Sequence, residues 1–514
     1  MASTLAGALK HQSEETAIIV PREPQALTVS HTQLGLDIRK FQQQLADLGI
    51  GHGDAVSIAL LNSYEFVISF LATTNQRAIA LPLNPQYKQD EFEFYISDLT
   101  SKLILVPKGV FSQDAPAVRA AKKFGAGVAE CWLDGSTVIL DVKQSRAERP
   151  AQAMLHPEPN DVALVLHTSG TTGRPKAVPL SHQNLTRTML NVQHTYELTP
   201  SDRTYLVMPL FHVHGLLAGF LAPLMSRSSV IIPPRFSAKN FWRDFTTHKA
   251  NWYTAVPTIH TILLRNDPPP TLPELRFVRS CSSPLPPKVM LELEAMVRAP
   301  VLEAYAMTEA AHQMCSNPLP HRGKRKAGTV GMGQGVEVRI LDAQGKEVAQ
   351  GKHGEVSVRG ENVTKGYINN EKANAEAFTA EGFFRTGDQG YKDEDGYVVL
   401  TGRIKELINR GGEKISPIEL DHVIASMPQV AEAVSFGMPS ELFGEEVGIA
   451  VVPKAGNEAV SSADVVQFAT KKVAGHKVPK RVWILKEIPK TATGKIQRRK
   501  VAETLLAKDT QPKL

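Results

Sequence analysis

Residues 161–176 read "DVALVLHTSGTTGRPK", an apolar run that breaks into a loop of glycines and hydroxyls and ends on a lysine. The run reads as a buried strand feeding the loop. Gly170 and Gly173 let backbone N–H groups turn toward an anion. Thr168, Ser169, Thr171 and Thr172 add hydroxyl donors, and Lys176 adds charge. The common P-loop needs a second glycine before its lysine and a hydroxyl after it. Counted from Gly170, Pro175 stands in the glycine's place and Ala177 follows Lys176, so this is a phosphate cradle of another kind. Beyond it, Ser181 can cap a helix whose apolar face is Leu185, Met189, Val192 and Tyr196. The loop is therefore expected between a strand and a helix.

Working outward, "AVSIALL" (55–61) and "AIALPL" (78–83) read as short buried strands, and "SYEFVISFLATTNQR" between them has helical spacing. Strands alternating with helices predict an α/β fold with parallel sheets. Toward the other end, Ser416 can cap a helix, Pro417 suits its first position and Glu419 completes a capping box. Ile418, Val423, Ile424 and Met427 are its expected buried face. The charged, glycine-rich segment just upstream marks a boundary, giving a large domain over 1–403 and a small α+β domain over 404–514.

Of 514 residues, 42% are hydrophobic and 21% charged, which is the composition of an ordinary globular chain with a sizeable core. Three cysteines without a CxxC pair argue against a zinc framework or disulfide staples. The N-terminus lacks the apolar core of a secretory signal, and no apolar run is long enough to span a membrane. The net charge of +6 suits either nucleic acid or several anionic small ligands. A nucleic-acid-binding reading draws on "GKIQRRK", but only 6% of residues are aromatic and none interleave with the basic run.

"HTSGTTGRPK" resembles the signature of the adenylate-forming acyl-CoA synthetases, and four further motifs follow in that family's order. They are "YAMTEA" (305–310), "RTGDQG" (385–390), "GRIKELINRGGEKISP" (402–417) and "PKTATGKIQRR" (489–499). The resemblance implies a large domain of parallel α/β sheets plus a β-barrel-like part, and a mobile C-terminal domain. It implies ATP and CoA as co-substrates and Mg²⁺ as cofactor. By the same resemblance the loop from Thr168 to Lys176 wraps the β- and γ-phosphates. Glu303, Ala304 and Tyr305 contact the nucleotide, Thr308 the α-phosphate, Glu309 the metal, and Asp388 and Arg403 the ribose. Lys495 is the catalytic lysine that bridges the acid's carboxylate and the α-phosphate. His212 is the gating histidine, Lys405 the hinge, and Arg410, Gly411 and Gly412 belong to the CoA segment.

The acid itself is expected to be small. Cys281 and Ala306 add volume where apolar substrates need room, and His214, Ser282 and His312 make the pocket polar. The phrases "PLFHVHGLLAG", "WYTAVPTIH", "LRFVRSCSS" and "EAYAMTEAAHQMCSNPLP" are most similar to the members of the family that activate oxalate. One carboxylate would be adenylated, and the other held by His312 and Ser282, with His214 beside them. Malonate is the rival acid; it calls for an arginine clamp, for which Arg279 is the nearby candidate. The chain ends Pro512-Lys513-Leu514, a variant of the peroxisomal Ser-Lys-Leu address, so the expected location is peroxisome or cytoplasm, with an import receptor as partner.

Overall fold

The computed structural model describes residues 3–9, 12–145, 150–168, 175–491 and 494–509. Ser169, Gly170, Thr171, Thr172 and Gly173 of the phosphate loop, and the C-terminal tripeptide, lie outside the described residues.

Two mixed sheets form the larger part. In one, six strands run parallel, in the order Val301–Met307, Phe277–Ser280, Trp252–Ala255, Arg203–Leu206, Ser229–Ile231 and Thr16–Val20, with antiparallel strands at both edges. The other has Leu103–Val106, Ala55–Ile58, Ile79–Pro82 and Val162–Thr168 parallel at its centre. The first strand and helix read from 55–75 form as expected: Ser63 caps Tyr64–Asn75, accepting a bond from the Phe66 N–H. The part expected to be barrel-like is an antiparallel sheet of four strands, from Glu337–Leu341 to Val398–Arg403.

One local reading is corrected. The phosphate loop does not run from a strand into a helix. Lys176–Ser181 forms a second strand, paired antiparallel with Val162–Thr168, and only then does Ser181 cap the helix His182–Tyr196. The apolar positions Ala177, Val178 and Leu180 are buried against the sheet, so the segment joins it before the helix can start. The described ends of the loop thus lie on two antiparallel strands, and the helix begins only after the second of them.

The C-terminal part is a mixed sheet of five strands with helices Pro417–Ala425, Ser462–Thr470 and Arg498–Asp509. Ser416 caps the first of these, but Glu419 does not close the box. Its carboxylate is taken by Lys477 Nζ at 2.8 Å. Leu420 and Ile424 are the helix's buried apolar side chains, whereas Ile418 faces the cleft described below. Arg410 and Glu413 pair across a two-residue turn in which Gly411 (φ +58°) and Gly412 (φ +94°) are both left-handed, the combination a type I′ hairpin demands.

The hydrophobic clusters respect a division. Those of the larger part end at Leu400, and those of the C-terminal part begin at Ile408. No helix among the described residues is long and apolar enough to cross a membrane.

After Leu206 the chain passes through Pro209 and enters a π-helix, His214–Leu221. This wide turn brings Gly215 so close to the preceding loop that an added Cβ would sit 2.2 Å from the Pro209 carbonyl oxygen. Backbone cannot yield cheaply there, so Gly215→Ala should destabilise the fold by about 2 kcal/mol or more. Chemical denaturation of the two proteins side by side checks this.

Candidate active site

Parallel strands gather their following loops at one edge of a sheet, where ligands of open α/β folds bind. Here the strands Trp252–Ala255, Phe277–Ser280 and Val301–Met307 deliver Thr258, Ser282 and Thr308 in turn. Together with the C-terminal part they enclose a cleft of ≈ 270 Å³. From the large part its walls include Ser282, Glu303, Ala304, Tyr305, Asp388 and Arg403, and from the small part Ile418, Asp421 and Lys495.

At one corner the Tyr305 hydroxyl donates a short hydrogen bond to Asp388 Oδ2, and Arg403 Nε meets Asp388 Oδ1 at 2.7 Å. Asp388 and Arg403 face one another across paired strands, so sheet register sets this pair. Beside it Glu303 is buried. One oxygen accepts from the Leu285 N–H at 2.9 Å, while Oε2 has no partner among the described residues. Burial pushes its carboxyl up to about 8, so it is largely protonated at neutral pH.

Lys495 enters from the small part. Its loop is tied to the large one: the Thr258 hydroxyl donates to the Gly494 carbonyl at 2.9 Å. The Lys495 side chain is exposed to the cleft yet enclosed by both parts. Desolvation, and then the Arg403 guanidinium, hold its ammonium below the usual lysine value, while Asp388, Glu406 and Glu309 pull the other way. No ion pair engages its Nζ among the described residues.

Glu309 sits in a short 3₁₀ turn, Thr308–Ala310, and is buried. The Tyr367 hydroxyl donates to its Oε1 at 2.9 Å, and Lys176 lies 4.6 Å over the Tyr367 ring. The lysine that ends the phosphate loop and the glutamate of the second motif therefore meet on one tyrosine. Thr168 pairs with Lys176 across the hairpin, which sets both ends of the loop at this place. Among the described residues no group of three or more His, Cys, Asp or Glu could hold a metal. A single carboxylate such as Glu309 fits only a hard cation that brings other oxygen ligands with it.

The polar acid residues form a stack behind the wall. Ser282 lines the cleft, and its Oγ lies 2.9 Å from His214 Nδ1. The His214 and His312 rings stack at 5.2 Å, and both side chains are buried. Desolvation, then the charge of Arg279, keeps both imidazoles neutral. Burial pushes His212 down to about 4. His212, His214 and His312 do not line the cleft; of the residues expected to take the acid, Ser282 alone does. Ser282 (φ 73°) and His312 (φ 98°) hold left-handed backbone, a strained state for non-glycine residues that tends to cluster at working sites. Arg279 is fully buried and absent from the cleft lining, so it is no direct clamp.

The hinge and CoA candidates lie elsewhere. Lys405, Arg410, Gly411 and Gly412 are absent from the cleft walls, although Glu406 is in them. Arg410 instead covers the Phe443 ring at 3.9 Å and pairs with Glu446 at 3.3 Å. Sequence reasoning missed Tyr367, Thr258 and Thr254. Each acts through a partner dozens or hundreds of residues away, and only the folded chain shows such pairings.

Residues 6–368 match the model of the AMP-binding enzyme family, and residues 419–495 match that of its C-terminal domain. The chain belongs to the AMP-binding enzymes. An oxalate–CoA ligase of Arabidopsis thaliana is 50% identical to it over 91% of this chain and 92% of its own length. One from Saccharomyces cerevisiae is 46% identical over 96% and 95%. Among solved structures, the ATP-bound MatB of Rhodopseudomonas palustris superimposes with a TM-score of 0.87, at 31% identity over 98% of this chain and 99% of that one. Its apo form gives a TM-score of 0.77.

The Thr258–Gly494 bond ties the Lys495 loop directly to the large part. Thr258→Val keeps the shape and removes a hydrogen bond worth about 1 kcal/mol. Amide hydrogen exchange around residues 494–496 should then quicken about fivefold, measured by mass spectrometry on the free protein.

Proposed function

We propose that this AMP-binding enzyme joins oxalate to CoA in two half-reactions. A carboxylate oxygen of oxalate attacks the α-phosphorus of ATP, the bond to the β-phosphate breaks, and pyrophosphate leaves. The CoA thiol then attacks the acyl carbon, the carbon–oxygen bond to AMP breaks, and the thiol proton goes to solvent. Oxalyl-CoA and AMP are the products.

The observation that carries this reading is the position of Lys495, between the Tyr305–Asp388–Arg403 corner and the Ser282 wall, with its Nζ engaged by no described carboxylate. Oxalate and the α-phosphate are both anions. At about 4 Å, two like charges repel by ~4 kcal/mol in a medium of effective dielectric near 20. An ammonium between them turns that repulsion into attraction. The desolvation that lowers its pKa also strips water from the ammonium, and a poorly hydrated cation pulls more strongly on the two anions. Asp388 accepts from the ribose hydroxyls and Arg403 steadies it. Lys176 and the hydroxyls of the preceding loop, Thr168 among them, receive the pyrophosphate end, and Thr308 the α-phosphate. Glu309, oriented by Tyr367, would hold a magnesium ion shared with the phosphates, and that ion would neutralise their charge.

Two residues of the wall favour a small, polar acid such as oxalate. Ser282 offers a hydroxyl rather than apolar surface, and Ala306 narrows the cleft. The relatives named oxalate–CoA ligase, near half-identical along most of the chain, support the same acid.

Lys495 and the CoA segment do not share this cleft, so the second half-reaction requires the small domain to turn about Lys405. A Cβ added at Gly412 would meet nothing within 4 Å, so a ligand has room to lie against the backbone of the Gly411–Gly412 turn.

A panel of small mono- and dicarboxylic acids, scored by pyrophosphate release with and without CoA, tests the substrate. Oxalate should lead it, and superior turnover of malonate, fatty or aromatic acids would exclude the assignment. Lys495→Ala should lower pyrophosphate release about 100-fold or more, retain ATP binding, and still convert added oxalyl-AMP to the thioester.

A further inference from the structure

Behind the Ser282 wall lies a positive charge with no carboxylate to meet it. Arg279, on the strand Phe277–Ser280, is 0% exposed. Its Nε donates to the Tyr196 hydroxyl at 2.7 Å, Nη1 to Thr254 Oγ1 at 3.1 Å, and Nη2 to Gln313 Oε1 at 3.3 Å. All three acceptors are neutral. Among the described residues no Asp or Glu forms an ion pair with it. A buried guanidinium in that position is costly unless something offsets it.

The contacts of Arg279 also set a direction. A guanidinium only donates. Nη1 gives its hydrogen to Thr254 Oγ1 and also lies 3.4 Å from His214 Nε2, so a hydrogen on Nε2 would face the cation. Nε2 is therefore bare, and it accepts from the Thr254 hydroxyl at 2.6 Å. His214 must then carry its proton on Nδ1, which donates to Ser282 Oγ at 2.9 Å. With one lone pair so used, the Ser282 hydroxyl has its own hydrogen free to donate into the cleft. Every link points the same way, from guanidinium to wall. The stacked His312 ring, neutral and with its Nε2 unpartnered among the described residues, covers the other face of His214.

We infer that Arg279 is a specificity-determining positioning residue: through Thr254 and His214 it fixes Ser282 as a hydrogen-bond donor, and its charge is offset by the second, non-reacting carboxylate of the acid. It touches no substrate. The inference rests on the dicarboxylate reading above and explains how that reading is enforced without an arginine in the cleft. Acids of oxalate's size lacking the second negative charge, such as glyoxylate or glycolate, leave the guanidinium uncompensated and gain nothing from the fixed donor.

The test uses the full chain with ATP and Mg²⁺, measuring pyrophosphate release with oxalate, glyoxylate and glycolate for the parent, Arg279→Met and Thr254→Val. Thr254→Val interrupts the chain of bonds with little change of volume and decides the matter if Arg279→Met does not fold. In the parent, oxalate should exceed both monoanions in kcat/KM. In either folded variant the KM for oxalate should rise about tenfold or more while the KM for ATP stays within twofold, so that the preference for oxalate falls about tenfold. Adding Ser282→Ala to Thr254→Val should cost no more than Thr254→Val alone. A parent that prefers the monoanions would overturn the dicarboxylate reading and this inference with it. A parent that prefers oxalate, with a folded variant that keeps the full preference, overturns the relay alone.

Discussion

Among the described residues, Lys495 belongs to a unit that shares no hydrophobic cluster with the larger part: the clusters of one stop at Leu400 and those of the other begin at Ile408. Polar ties between the two include the Thr258–Gly494 bond and a short bond from the Ser416 hydroxyl to the Thr401 carbonyl. Interfaces of this kind are cheap to form and cheap to leave. The proposed reaction needs both properties, because the cation must be present while two anions combine and out of the way when a thiol arrives.

The large part supplies what must stay fixed. Asp388 and Arg403 are set by strand register, Glu309 by a 3₁₀ turn and a tyrosine, and Ser282 by a loop at the end of a parallel strand. These placements come from backbone geometry, so they survive any movement of the small part. The site thus combines a wall set by strand register and turns in the large part with a lysine presented from the C-terminal part.

Much of this was legible in the sequence because it is local. Ser181 and Ser416 announce helix caps that form as read, and the motifs around Thr308, Asp388 and Lys495 name residues that the fold brings to one cleft or its margin. The strand at Lys176–Ser181 escaped, since Pro179 within it reads as a breaker, and because its partner is the preceding strand across the loop itself. Glu419 escaped for a different reason: a lysine 58 positions away competes for its carboxylate. Tyr367, Thr254 and Thr258 carry no chemical signature at all. A lone tyrosine or threonine is informative only when its partner is known, and that partner is fixed by tertiary packing. The sequence offers the histidines as polar residues of an acid pocket, but their depth is not legible there: His214 begins a buried π-helix and reaches the cleft wall only through Ser282.

The left-handed backbone at Ser282 and His312 has a consequence for how such a pocket could change over generations. Positive φ is costly for side chains in general and most costly for bulky β-branched ones, with asparagine, aspartate and histidine the better tolerated. At these two positions a branched apolar side chain therefore carries a backbone cost that the present residues largely avoid. A lineage drifting toward greasy acids would ease that cost by remodelling the turns themselves before exchanging the side chains they display.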